Sequence, residues 1–273
     1  MYKIVDKKKL SPTITLLKLV TPEIAKKVQP GQFVIIRVNE EGERVPLTVN
    51  DFDREKGTIT IVFQEVGKST KLLGRLNIND HISDVVGPLG KHTEVEKFGK
   101  VVCIGGGVGT AVIYPITRAL YQAGNEVIGI VGARNEGLLT FLDEMEAVTH
   151  QLVVTTDDGS KGRHGLVTDP LKEMLESGER IDRVIAIGPA IMMKFVCKTT
   201  ESHKVKTIVS LNPIMLDATG MCGVCRVSVG GEIKFGCVDG PEFDGHQVDF
   251  DSLINRLIQY VAEEKISLAT IEG

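Results

Sequence analysis

Through the first hundred residues apolar and polar positions alternate or run β-branched. Thr13 to Val20 (TITLLKLV), Gln32 to Val38 (QFVIIRV) and Thr58 to Gln64 (TITIVFQ) are the clearest stretches. Period-two patterning rich in Val, Ile and Thr predicts strands. Ser11-Pro12, Thr21-Pro22 and Gln29-Pro30-Gly31 punctuate them. About six short strands at this spacing, with few helical patterns between them, predict a small antiparallel barrel. Lys7 to Lys9 reads as a solvated face.

The pattern changes near Gly99. An apolar run, Lys100 to Ile104, ends in Gly105-Gly106-Gly107-Val108-Gly109 and gives way to a helical stretch, Thr110 to Ala123. Strand patterns follow at Glu126–Val131, Gln151–Thr155, Arg183–Ile187 and Thr207–Ser210. Helical patterns alternate with them at Gly137–Val148, at Asp169–Ser177 with Pro170 as the first helical residue, and after Gly188-Pro189. Such alternation predicts βαβ units and a parallel sheet. Asn212 to Gly245 is Gly-rich, and Asp251 to Ile266 reads as one amphipathic helix capped by Asp251 or Ser252. The fold class is therefore α+β and multidomain: an antiparallel barrel over 1–98, a parallel-sheet α/β domain over 99–211, and a small C-terminal segment over 212–273.

Composition narrows the function. Apolar and charged fractions of 42% and 25% exclude disordered and collagen-like chains. A net charge of −4 excludes a nucleic-acid surface as the main business. No run approaches the ~18 apolar residues of a membrane span, and the start, MYKIVDKKKL, has no signal-peptide core. A cytoplasmic protein is expected. Trp is absent, so a box of stacked rings around a flat cofactor is not expected.

Five cysteines are an odd count for a disulfide framework. Three crowd together as Cys222-x2-Cys225-x11-Cys237. Gly230-Gly231 between two short alternating runs signals a two-residue hairpin. Pairing across it sets Val229 opposite Glu232 and Val224 opposite Cys237, folding the third thiol back onto the first two. Zinc and iron–sulfur clusters both take four ligands. The fourth is Asp217, five residues before Cys222, or His246, nine after Cys237.

The Gly105–Gly109 loop between strand and helix lets backbone N–H groups approach a phosphate or ring. It departs from G-x-G-x-x-G, and the second strand leads into Arg134 where an acidic residue is the rule. Asp157-Asp158-Gly159-Ser160 and Gly188-Pro189 follow strands of the same sheet, so three loops converge on one crevice beyond the strand ends. In the barrel, Arg44 can pair with a pyrophosphate, Thr48 can hydrogen-bond a flavin edge, and Gly67-Lys68-Ser69-Thr70 can offer backbone donors.

Arg-Val-Pro-Leu-Thr in a barrel, Gly-Gly-Gly-Val-Gly opening a parallel sheet and a three-cysteine segment together resemble the ferredoxin–NADP reductase superfamily. The resemblance spans nearly the whole chain. It is strongest to the electron-transfer subunits of dihydroorotate dehydrogenase and to the small subunits of NADH-dependent reduced ferredoxin:NADP oxidoreductases. It implies FAD in the barrel, with Arg44, Ser69 and Thr70 at the pyrophosphate and Pro46, Leu47, Thr48, Val62, Phe63 and Gln64 along the flavin. It implies NAD(H) over the flavin beside Gly105 to Thr110, with NADP(H) the alternative that Arg134 favours, and a [2Fe–2S] cluster on the cysteine hairpin. The dihydroorotate-type subunits carry a fourth cysteine where this chain has Asp217, and the resemblance makes Asp217 rather than His246 the fourth ligand. Relatives place the arginine three residues before the hydroxyl; here Arg44 is four before Thr48. The implied activity is electron bifurcation with a larger FAD and [4Fe–4S] subunit as heterodimer partner and ferredoxin reached through the complex. No residue is assigned as a catalytic acid or base. The rival expectations are dihydroorotate oxidation and a non-redox zinc adaptor.

Overall fold

In the computed structural model, residues 1–272 are described. The N-terminal sheet has seven antiparallel strands: β1 (Tyr2–Ser11), β2 (Ile14–Val20), β3 (Phe33–Arg37), β4 (Arg44–Asp53), β5 (Thr58–Gln64), β6 (His81–Ile82) and β7 (Asp84–Leu89), ordered β6-β1-β2-β5-β4-β3-β7. This is one strand more than the periodicity predicts, because short β6 adds to the free edge of β1. Helix α1 (Pro22–Lys27) links β2 to β3, and α2 (Lys68–Arg75) follows β5.

β5 is buried on both of its faces from Thr58 to Phe63. Phe63 packs among Leu17, Leu19 and Ile36 inside the barrel, whereas Val62 packs outside it with Ile14, Ala111 and Phe141. Lys7 is not simply solvated: its Nζ donates to Gly74 O (2.8 Å) and Leu76 O (2.5 Å), the last carbonyls of α2, where a cation also complements the helix dipole.

The second sheet is built from β8 (Lys100–Gly106), β9 (Glu126–Ala133), β10 (Gln151–Thr156), β11 (Arg163–His164), β12 (Arg183–Ile187) and β13 (Thr207–Ser210). They lie parallel in the order β11-β10-β9-β8-β12-β13. Strand order reverses between β8 and β12, which makes their carboxyl ends the switch point where an open α/β sheet takes ligands. Helices α3 (Gly109–Gln122), α4 (Leu142–Glu146), α5 (Thr168–Glu176) and α6 (Ala190–Glu201) cover its faces. The long helix expected over Gly137–Val148 is only α4. Phe141 takes a left-handed φ of +60° to bury its ring against Ile14 and Val62, and this breaks the run. Pro170 is the third residue of α5, not the first.

The C-terminal segment forms the hairpin β14 (Arg226–Val229) and β15 (Glu232–Phe235), with Val229 opposite Glu232 as expected. Gly230 and Gly231 both have positive φ, 61° and 79°, as the two-residue turn requires. Next, β16 (Glu242–Asp244) pairs antiparallel with β13. The single helix expected over Asp251–Ile266 is two, α7 (Phe250–Leu257) and α8 (Val261–Glu272). Its cap is neither Asp251 nor Ser252 but Asp249, whose carboxylate accepts the Ser252 N–H at 3.0 Å. α8 returns to the barrel, where Arg75 Nη2 donates to Ile271 O. Among the described residues no helix is long and apolar enough to cross a membrane.

Candidate functional site

One crevice of about 760 Å³ opens between the three parts of the chain. That is the size of a cofactor site. The barrel contributes Phe33, Pro46, Thr48 and Gln64; the sheet contributes Gly106 to Gly109, Arg134, Asp157, Gly188 and Pro189; the stretch Leu211 to Met215 closes the third side. Pro46 and Thr48 lie two apart on β4 and therefore share a face.

The glycine loop is as tight as its sequence suggests. A Cβ on Gly109 would lie 2.3 Å from Ile187 O, so this glycine lets α3 start hard against the end of β12. Gly107 has φ +57° with open space beside it. Gly105 leaves room for Thr110, whose hydroxyl is buried at the first turn of α3 with no partner in the chain. Asp158 N–H donates to Arg134 O and joins two of the converging loops. The Asp158 carboxylate is occupied by Ser160, whose hydroxyl and N–H hold it below the usual carboxylate range. Asp157, not Asp158, lines the crevice, and Gly159 sits at the turn with φ +75°.

Other candidate residues lie outside the crevice. Leu47 packs against the barrel core, and Val62 and Phe63 are buried. Any contact these two make with a ligand is through backbone. Arg44 is exposed at the start of β4. Its neighbour Glu43 accepts the Ser69 hydroxyl at 2.8 Å, which ties this end of the strand to the N-terminus of α2. Thr70 Oγ1 accepts from the N–H of Val66 and Gly67, fixing the turn. The first-turn N–H groups of α2 have no intrahelical acceptor and are suited to a phosphate.

Asp217 and the three clustered cysteines form two pairs. Cys225 and Cys237 are buried with their sulfurs 3.2 Å apart, against Phe33 and Ile35 of the barrel. Cys222 is exposed, and its thiol donates to Asp217 Oδ1 at 3.2 Å. The Thr219 N–H and then the Cys222 thiol hold the Asp217 carboxyl below its ordinary range. Burial, reinforced by the Cys225 thiol, pushes Cys237 up to about 12. A metal centre is what makes thiolates of such a pair. His246 is elsewhere, with Nε2 2.9 Å from Thr200 Oγ1. Among the described residues no three His, Cys, Asp or Glu are grouped at one point. Two pairs instead suit a cluster with two metals.

Phe33, Leu211, Pro213, Met215, Met192 and Phe195 also line the crevice. Periodicity marks Phe33 only as strand, and the others belong to loops or helix faces whose placement depends on tertiary packing.

Comparison with known proteins follows the same division. Residues 1–93 match the oxidoreductase FAD-binding domain, 103–198 the oxidoreductase NAD-binding domain, and 212–249 the iron–sulfur cluster binding domain of dihydroorotate dehydrogenase B. A Thermotoga maritima protein described as a dihydroorotate dehydrogenase B (NAD(+)) electron transfer subunit homolog is 48% identical, covering 98% of this chain and 94% of its own length. The chain belongs to the electron-transfer subunit family of dihydroorotate dehydrogenase B. This electron-transfer subunit is also 49% identical to a Clostridium beijerinckii protein described as an uncharacterized protein in the adh 3' region, over 100% of this chain and 95% of that one. Among solved structures, it matches a chain of the NADH-dependent reduced ferredoxin-NADP oxidoreductase with a TM-score of 0.94 and 46% identity, covering 100% and 98%. A cytochrome P450 reductase from Amycolatopsis shares the fold at TM-score 0.63 and 22% identity, over 74% of this chain and 65% of that one. The electron-transfer subunit is thus an oxidoreductase-family chain with FAD-binding, NAD-binding and iron–sulfur domains.

Proposed function

We propose that this chain is the NAD(H)-facing subunit of a heterodimeric, electron-bifurcating oxidoreductase that couples NADH and reduced ferredoxin to NADP reduction. One observation carries the reading: a single crevice joins the flavin side of β4, the Gly105–Thr110 loop and the approach to the cysteine hairpin. A bound flavin would convert a two-electron hydride into single electrons, and a bound [2Fe–2S] cluster would take one.

The chain's task is positioning. Arg44 and the N-terminus of α2 hold the pyrophosphate. Pro46, Thr48 and Gln64 face the ring, with the Val62 and Phe63 backbone alongside. The glycine loop, Arg134, Asp157 and Pro189 hold the nicotinamide dinucleotide. Cys225, Cys237, Cys222 and Asp217 would hold the cluster. Exposed Leu216, Met221 and Val238 beside Cys222 favour a protein partner on that side. The sequence likeness to a bifurcating enzyme's subunit, together with Asp217 in place of a fourth cysteine, favours this reading over dihydroorotate oxidation.

Anaerobic native co-purification tests it. A larger subunit with flavin and [4Fe–4S] clusters is expected. A dihydroorotate-oxidising partner would move the same chemistry into another reaction, and a colourless zinc protein would end the redox reading. Rates with NADH and NADPH decide the nucleotide, and NADH is expected to be preferred.

A further inference from the structure

Helix α3 contains a proline, Pro115, in its interior. A proline has no N–H, so the carbonyl four residues earlier, Ala111 O, loses its helical donor. Ala111 is fully buried, where an unsatisfied carbonyl is costly. The missing donor comes from the barrel: the side-chain amide of Asn50 on β4 donates to Ala111 O at 2.5 Å, and Asn50 itself is buried.

The local sheet is built for this contact. Against β5, Val49 pairs with Ile61 and Asp51 with Thr60, so Asn50 is the extra residue of a β-bulge. Bulges re-aim side chains next to functional sites. The neighbouring Asp51 accepts from Arg118 Nη2 at 2.7 Å, and Arg118 lies two turns beyond Ala111 on the same face of α3. On the barrel side Asn50 continues the row Pro46, Thr48. On the sheet side Ala111 directly follows the Gly105–Thr110 loop.

We infer that Asn50 is a positioning residue: by filling the donor vacancy that Pro115 creates, it fixes the distance between the flavin-facing strand and the nicotinamide-facing loop. The inference rests on the reading that β4 and this loop face those two rings. A misplacement of about 1 Å between reacting groups can cost on the order of a hundredfold in rate.

The test uses the full chain purified anaerobically with its cofactors, as Asn50→Ala, Pro115→Ala and the double variant. Two readouts are taken: the thermal unfolding midpoint, and the limiting rate and half-saturation of flavin bleaching by NADH in single turnover. Asn50→Ala is expected to lower the midpoint and to slow the limiting rate by about tenfold or more, with half-saturation moving far less. In the double variant the residue 115 N–H satisfies Ala111 O, so the midpoint recovers to that of Pro115→Ala while the rate stays slow. A rate that recovers along with the midpoint would make the bond merely structural and overturn the inference. An Asn50→Ala rate within about twofold of a parent that NADH reduces would overturn the inference alone. A parent that neither NADH nor NADPH reduces would overturn the functional reading and the inference with it.

Discussion

Phe33 on β3 stands directly opposite Thr48 on β4, and its side chain packs in the same cluster as Cys225 and Cys237. One buried residue thus lies between the wall of the crevice and the inner pair of thiols. Gly90, with φ +74°, makes room for it: a Cβ there would lie 2.8 Å from the Phe33 ring. Phe33→Leu leaves a gap at this junction and is expected to cost about 1–2 kcal/mol in urea unfolding. It should also shorten the lifetime of the iron–sulfur absorbance in air, because the gap admits solvent beside Cys225 and Cys237.

Gly109→Ala tests the junction of α3 with β12. The added methyl would meet Ile187 O at 2.3 Å, and both neighbours are backbone, so the helix must move. A loss of about 1–3 kcal/mol in stability is expected. Nicotinamide dinucleotide affinity, read by titration calorimetry, should weaken in parallel because the loop moves with the helix.

Asp217 and Cys222 form the exposed pair, joined by a 3.2 Å contact. Asp217→Ala should lower iron and sulfide per chain. Asp217→Cys should keep both and shift the cluster's reduction potential, since a thiolate donates more electron density than a carboxylate. Metal analysis and anaerobic redox titration read the two outcomes. Because His246 bonds Thr200 in the sheet domain, His246→Gln should leave the iron content unchanged.

Glu242 accepts the Thr93 hydroxyl at 2.5 Å, and burial raises its carboxyl above the ordinary value, against the pull of Arg183 and His92 and with a further push from Glu94. A raised folded-state value means that the fold holds this proton more tightly than the unfolded chain. Its contribution favours folding at acid pH and is lost as pH rises through the carboxylate range to the folded-state value. Glu242→Gln keeps an acceptor for Thr93 and removes the titration. Its unfolding midpoint should exceed the parent's at pH 8, with the difference shrinking towards pH 4.

Features set by local chemistry were legible in the sequence. Gly230-Gly231 requires positive φ at two adjacent positions, which specifies the hairpin register and returns Cys237 to Cys225, whereas Cys222, expected beside them, meets Asp217 instead. The alternation of strand and helix likewise specifies the parallel sheet and the converging glycine loops. What failed depended on partners far away in the chain. Phe141 breaks an otherwise helical run because its ring is buried against the barrel. The cap of α7 falls on Asp249 because Val248 still bridges to Val229 and the Asp249 N–H donates to Ser228 O of the hairpin. Val62 and Phe63 read as strand either way; the barrel core buries Phe63, and only the docking of α3 and Phe141 shows that Val62 on the other face is buried too. The pairing of Pro115 with Asn50, sixty-five positions earlier, leaves no local pattern to read.

The path of the last helix has its own consequence. The chain runs from barrel to sheet to cysteine hairpin, and α8 then brings it back to α2, where Arg75 meets Ile271 across 196 positions of sequence. Val227 and Val229 of the hairpin pack into the sheet domain's core, while its buried thiols press on the barrel. The three parts therefore form a closed ring of contacts rather than a string of beads. A hinge opening of barrel from sheet has to tear the hairpin from one of its two neighbours or strip α8 from α2. On the proposed function, a nucleotide that enters by the open mouth of the crevice would break none of these contacts.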